Sequence, residues 1–247
     1  MRPVPRTVLV LLCVLWLLTT GASAETLRLV ADVWPPFTDQ NLPNGGLATD
    51  LVSTALARAG YATEYAQVPW ARALHGIGVG SYDVLVNAWF TEERTQVGQF
   101  SSPYLVNRVR LLKRKGSPIG FTSLADLQPF NIAVVRGYTY GAEFDSASSL
   151  RKIPVLGFAS AARMLHAGRV NLTLEDEFVA RYYLNREPSS VRDDLEFLPK
   201  PLSENNLHIL VSLHNPRHAQ IVAAFNRAIK AMKTDGSYAA LFKRHGM

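Results

Sequence analysis

Cysteine is almost absent. The single one, Cys13, lies in the first apolar stretch, so the rest of the chain can form no disulfide and offers no thiolate for catalysis or metal binding. Runs of one charge are also scarce. Basic residues outnumber acidic ones by 26 to 20, giving +6, but they are scattered, and the longest basic run is Lys113-Arg114-Lys115. With no nucleic-acid motif beside it, that run reads as a solvated face, and nucleic acid is excluded as a partner. After the first twenty residues no apolar run approaches the ~20 residues a membrane-spanning helix needs. Gly76-Ile77-Gly78-Val79-Gly80 falls between a helix and a strand, the reverse of a phosphate loop, and reads as a turn. His214 and His218 are four apart with Pro216 between them and no third ligand near, so no zinc site is expected. Glu175-Asp176-Glu177 lacks the spacing of a calcium loop, Asn171-Leu172-Thr173 is a glycosylation sequon in letters only, and no serine or cysteine nucleophile motif occurs. No cofactor is expected.

What is present is an apolar-rich chain of 247 residues, 48% hydrophobic, enough for one large or two small packed domains. Arg2 and Arg6 precede an apolar stretch over 8–18, then Ala22-Ser23-Ala24. A positive start, a short apolar core and an A-x-A ending make a secretory signal peptide over 1–24, too short in its apolar part to anchor in a membrane. The product is expected to be soluble and periplasmic, with no stable membrane insertion after cleavage, and to begin at Glu25. N-terminal sequencing of the exported protein should therefore start there; a periplasmic product retaining Met1 would contradict the assignment.

Apolar and β-branched runs predict strands over 27–31, 63–68, 82–86, 106–112, 132–135, 153–156, 170–174 and 207–211. Between them helical patterns fall over 47–59, 70–77, 140–149, 159–167 and 176–186. The stripe Ile221, Phe225, Ala228, Met232 predicts a final long helix, with Gly236 closing it before a short one from Ser237. Alternating β and α units predict mainly parallel sheet covered on both faces. One internal echo supports two similar lobes: Ala71-Arg72-Ala73-Leu74-His75 before Gly80 and a strand, and Ala162-Arg163-Met164-Leu165-His166 before Gly168 and a strand. Several informative residues follow predicted strands: Trp34-Pro35-Pro36-Phe37, Pro69-Trp70-Ala71-Arg72, the run from Asn87 to Arg94, Arg136 to Tyr140, and Glu175 to Glu177. Ligand crevices of open α/β sheets lie outside the carboxyl ends of strands, so these residues are expected around one cleft.

At these residues the chain resembles the bacterial extracellular solute-binding proteins of family 3, the polar-amino-acid type. The resemblance rests on Trp34-Pro-Pro-Phe37, Gly46-Leu-Ala-Thr-Asp-Leu51, Gly80-Ser-Tyr-Asp83, Thr91-Glu-Glu-Arg94 with Phe100-Ser-Ser-Pro-Tyr104, and Gly168-Arg-Val-Asn171 with Asp176. It covers essentially the whole chain after residue 24. It implies a two-lobed α/β fold of the type II periplasmic-binding-protein kind, with two hinge crossover strands near 104–111 and 202–209. Lobe 1 would be discontinuous, 25–107 and 207–247, and lobe 2 would be 108–206. It also implies a periplasmic receptor, monomeric, that captures a small polar, carboxylate-bearing solute for uptake through an ABC-type permease.

By that resemblance Arg94 matches the arginine that clamps a ligand carboxylate, a role suited to a planar guanidinium with two parallel donors. Thr91 is placed to cap the turn that carries it, with Glu92 and Glu93 in its first residues. Asp176 matches the acid that receives a ligand ammonium, and Glu175 beside it can share or replace that role. Trp89 and Tyr138 stand where the family has small residues, with Thr139 one place beyond the usual hydroxyl. Two bulky rings there leave open whether a standard α-amino acid fits. With Trp34, Phe37, Trp70 and Phe90 they instead suggest a stacking box for a ring or a cation. Arg72 reads equally as a second anion contact or a surface ion pair. Two alternatives remain: an enzyme resembling periplasmic cyclohexadienyl dehydratases, with Glu175 as the acid, and a sensor module that reports ligand to a membrane partner.

Overall fold

The computed structural model describes residues 25–247; the signal peptide expected over 1–24, with Cys13, lies outside the described residues. The chain enters through β1 (Thr26–Ala31), whose alternate residues bury Leu27 and Leu29 on one face and Val30 on the other. Helix α1 (Leu47–Arg58) buries Leu47, Leu51, Val52, Ala55 and Leu56 against the first face. Then come β2 (Ala62–Gln67), α2 (Trp70–Gly78), β3 (Val84–Trp89), β4 (Gly98–Phe100) and β5 (Leu105–Arg114). The second half holds β6 (Asn131–Val135), α3 (Ala142–Ser146), β7 (Arg151–Val155), α4 (Phe158–His166), β8 (Leu172–Asp176), α5 (Glu177–Leu184), α6 (Ser189–Arg192) and β9 (Leu195–Phe197). The chain returns through β10 (Ser203–Ser212) and ends in α7 (His218–Thr234) and α8 (Ser237–Arg244).

The strands form one curled sheet ordered β2-β1-β3-β10-β5-β8-β6-β7, with β4 on β10 and β9 on β5. β1 runs parallel to β2 and β3, and β6 runs parallel to β7 and β8. The sheet is mixed rather than mainly parallel because β5 and β10 run antiparallel to each other and to their outer neighbours. These two strands cross between the halves: β10 pairs with β5 over 203–207, then with β3, while β5 continues onto β8.

Each half has its own buried layers. In the first, Leu29, Leu51, Ile209, Phe225 and Met232 pack on one face and Val30, Ile77, Leu85 and Leu210 on the other. In the second, neighbours Leu111 and Leu112 point to opposite faces and join different clusters, one with Ile132, Leu174 and Phe144, the other with Ala133, Phe158 and Leu165. The result is a two-lobed α/β fold. The helix–glycine–strand echo is visible in it: α2 leads through Gly80 to β3, and α4 through Gly168 to β8, both glycines at positive φ (73° and 71°). The lobes also touch through α5, where the Phe178 ring lies 6.0 Å from Phe37 and 6.1 Å from Phe242.

Boundaries differ from the sequence expectation at three places that matter. β3 reaches Trp89 because Trp89 pairs with Leu207, and β8 reaches Asp176 because Asp176 pairs with Val109. Trp89, Glu175 and Asp176 are therefore the last residues of strands, not loop residues after them. The helix expected over 140–149 shrinks to α3, because Tyr140 is held out of it: its hydroxyl accepts the Val135 N–H (2.7 Å) and its own N–H is taken by Asp145.

Candidate functional site

A cavity of about 270 Å³ opens between the lobes at the carboxyl ends of β1, β3, β6 and β8. Asp32, Val33 and Trp34 reach it from beyond β1, Asn87 and Trp89 from β3, and Arg94 from a 3-10 turn at Glu93–Gln96. The other lobe contributes Gly137 to Tyr140, Glu175 and Asp176, with Val109 of the crossover strand between.

Arg94 is half-buried. Its Nη1 donates to the Trp89 carbonyl (2.6 Å), and its Cζ lies over the Trp70 ring, 4.9 Å from the centroid. Among the described residues no carboxylate forms an ion pair with Arg94. Burial lowers its pKa from the ordinary value, a shift that leaves a guanidinium charged. The turn that carries it is closed by Thr91, whose Oγ1 lies 3.4 Å from the Arg94 N–H.

The acidic side is built on the end of β8. Asp176 caps α5: its Oδ1 accepts the N–H groups of Phe178 (2.9 Å) and Val179 (3.1 Å), and its Oδ2 accepts Asn107 Nδ2 (3.2 Å). Asn107, fully buried on β5, accepts in turn from Trp89 Nε1 (3.0 Å), so a chain of hydrogen bonds runs from one lobe through the crossover strand to the other. Burial pushes the Asp176 carboxyl up to about 6 against those bonds. Glu175 is more isolated. Its Oε1 accepts the Asp176 N–H (2.9 Å), its Oε2 is buried without a partner, and burial with the Asp176 charge raises it to about 8. Asp32 accepts from Asn87 Nδ2 (2.9 Å), which leaves Asn87 Oδ1 buried and unpartnered.

The aromatic wall is continuous. Trp34 lies 4.6 Å from Phe37 and meets Trp89 edge-on at 6.1 Å. Tyr138 stands across from them, 6.2 Å from Tyr140, and burial pushes its hydroxyl up to about 12.

The structure thus brings Arg94, Asp176, Glu175, Trp89, Tyr138, Thr139, Trp34 and Trp70 to one cavity. Phe90 and Arg72 are not among the residues lining it. Phe90 follows the last residue of β3, so its ring turns to the opposite side and packs on Phe100 at 5.0 Å. Arg72 sits on the exposed face of α2. Asp32, Asn107 and Val109 are not among the residues the sequence pattern singles out, while Asn87 and Tyr140 fall within runs expected around the cleft but with no role of their own. For Asn107 a signal existed: it occupies the inward position between Leu105 and Val109, and a polar residue there requires partners.

Residues 27–247 match the family described as bacterial extracellular solute-binding proteins, family 3. The chain belongs to it. Over 243 residues this solute-binding protein is 24% identical to the lysine/arginine/ornithine-binding periplasmic protein of Escherichia coli (strain K12), covering 92% of each chain. Its fold matches an ancestral arginine-binding protein bound to arginine, with a TM-score of 0.66 at 25% identity over 89% of this chain and 97% of that one. It also matches an ancestral cationic amino acid solute-binding protein, AncCDT-1, with a TM-score of 0.69 at 25% identity over 89% and 95%. These relatives are binding proteins. Among the described residues, no helix of this family-3 protein is long and apolar enough to cross a membrane.

Proposed function

We propose that this protein is a periplasmic receptor for a cationic, amino-acid-like solute, holding the carboxylate on Arg94 and the cationic end on the acidic side, and delivering it to an ABC-type permease. One observation carries the reading: Arg94, with no acidic partner, shares a small aromatic-walled cavity with Asp32, Glu175 and Asp176. At about 270 Å³ the cavity falls just under the ~300–1,000 Å³ usual for drug-sized ligands, which suits a single small solute. Its excess of acids over bases favours a ligand with a net positive charge, and the named relatives that bind lysine, arginine or ornithine agree in chemistry. Trp34, Trp89 and Tyr138 offer ring faces to an aliphatic stem or a guanidinium. Equilibrium dialysis should show L-arginine, L-lysine or L-ornithine retained and recovered chemically unchanged.

The division into lobes 25–107 with 207–247 and 108–206 makes the paired stretch of β5 and β10 the hinge. Closure about two strands is a standard binding-protein motion. Small-angle scattering should accordingly show the radius of gyration shrinking when L-arginine is added. An unchanged radius in a sample with demonstrated binding would contradict a cleft that is open when empty.

A second reading, an enzyme on the same fold, is favoured by Glu175, a buried carboxyl raised to about 8 and hence a proton donor at neutral pH. It requires prephenate or arogenate to be converted by the wild type and left intact by Glu175→Gln. The receptor reading requires both compounds to be recovered unchanged.

A further inference from the structure

Two buried polar atoms on the cavity wall have no partner, and they come from different lobes: Asn87 Oδ1 on β3 and Glu175 Oε2 on β8. The orientation of the Asn87 amide is set by chemistry. Its Nδ2 lies 2.9 Å from Asp32, a carboxylate that only accepts, so the unpartnered atom is the acceptor oxygen. A ligand group rich in N–H donors satisfies it. Glu175 is 4% exposed and lines the cavity, and its Oε1 is already held by the Asp176 N–H, which leaves Oε2 as the unpartnered atom.

The surroundings of Glu175 disfavour a charge in the empty cleft. Asp176 is its neighbour on β8, Asp32 lines the same cavity from beyond β1, Tyr138 and Tyr140 line it from the segment after β6, and Tyr183 lies on α5, which follows β8 directly. Arg94 supplies the positive charge of the cavity wall but bonds the Trp89 carbonyl and lies over the Trp70 ring. Arg110, the register partner on β5, turns its guanidinium to the Leu198 carbonyl and Glu177. No cation among the described residues forms an ion pair with Glu175. Geometry and the carboxyl's raised pKa of about 8 therefore agree.

We propose that Glu175 carries a proton in the empty cleft and gives it up when a ligand's ammonium or guanidinium group settles against its Oε2 and Asn87 Oδ1, so that capture of a cation releases one proton. The inference rests on the receptor reading above. The carboxyl O–H bond breaks, its electron pair stays on the carboxylate, the proton passes to solvent buffer, and the ligand keeps all its own protons. The new negative charge is matched by the ligand's positive one. Because the bound cation favours the ionised form, the carboxyl's pKa falls in the complex, and affinity rises with pH up to the free value and is level above it. Asp176, raised to about 6, acts in the same direction but over a lower range. The tyrosines are raised and do not titrate in this window.

The test is isothermal titration of the exported protein with L-arginine from pH 6.5 to 8, in two buffers of different ionisation enthalpy. The expected result is release approaching one proton near pH 6.5–7 and a Kd that falls by up to about tenfold per pH unit, levelling near pH 8. In Glu175→Gln the release falls to the small part that Asp176 contributes near pH 6.5, and Kd is level from pH 7 to 8. Independently of any variant, the ¹³C carboxyl signal of Glu175 in the free protein should titrate near 8 and move to lower pH with arginine bound. Arginine binding without buffer-dependent heat, or a Glu175 carboxyl that titrates near its ordinary value, overturns the proton exchange and leaves the receptor reading standing. Failure of L-arginine, L-lysine and L-ornithine to bind at any of these pH values overturns the receptor reading, and the proposal with it.

Discussion

Arg94→Ala should weaken capture of L-arginine by about a hundredfold or more, while the protein stays folded. A guanidinium gripping a carboxylate makes two charge-assisted hydrogen bonds, each worth ~1.5–3 kcal/mol, and ~1.4 kcal/mol is a factor of ten in Kd. Alanine removes both bonds, together with the contact to the Trp89 carbonyl that fixes the guanidinium and the contact with the Trp70 ring. Arg94→Lys keeps a charge but not the planar fork, so it should lose about tenfold. Titration calorimetry reads the affinities. Thermal melts should place both variants close to the wild type, since Arg94 is only half-buried on a short turn and forms no ion pair among the described residues. Unaltered affinity in Arg94→Ala would show that the ligand is not held by this group.

Glu175→Gln should make the protein more stable at pH 8 while making it a poorer receptor. The sign follows from the direction of the shift. Glu175 is raised from 4.5 to about 8 in the folded chain, so the unfolded chain sheds its proton first. Stability from this group is complete below about 4.5, falls as pH rises toward 8, and is then fully lost. Each pH unit in that window costs about 1.4 kcal/mol at most. Glutamine keeps the oxygen that accepts the Asp176 N–H but never ionises, so it escapes the loss. After allowance for its own buried amide, we expect a gain of roughly 2–4 kcal/mol at pH 8, on the order of 10 °C in Tm for a chain of this size, and little gain at pH 5. Urea or thermal unfolding at the two pH values measures the effect. An equal stability difference at both would mean that Glu175 ionises freely in the folded protein. The stability sacrificed at neutral pH is consistent with a group kept for its ligand rather than for the fold.

Much of this architecture is visible in the chain because local pattern and tertiary packing agree. The spacing of Leu47, Leu51 and Ala55, or of Ile221, Phe225 and Met232, marks a buried helical face in letters as clearly as in space. Trp34, Trp89, Arg94 and Asp176 stand out because they sit in short motifs that follow predicted strands, where an open α/β sheet places its ligand crevice. What stayed hidden depends on partners distant in sequence. Acids look like the end of a strand, yet Glu175 and Asp176 extend β8 because β5 pairs with them. Asn107 looks like an interruption of an apolar strand until Trp89, 18 residues earlier, and Asp176, 69 residues later, are seen to meet it. Asp32 and Asn87 form one hydrogen-bonded unit only after β1 and β3 lie side by side. Phe90 errs the other way: one residue past a strand end, its side chain points to the opposite side, and its aromatic character said nothing of which.

In the proposed receptor the cleft grips both ends of one ligand, the carboxylate at Arg94 and the cation at the acids. Comparing L-arginine with agmatine, which is arginine without its carboxylate, tests this directly. In the wild type at pH 8, agmatine should bind at least about a hundredfold more weakly than L-arginine, and in Arg94→Ala the two should bind alike. Agmatine binding the wild type as tightly as L-arginine, or the preference for L-arginine persisting undiminished in Arg94→Ala, would contradict the account.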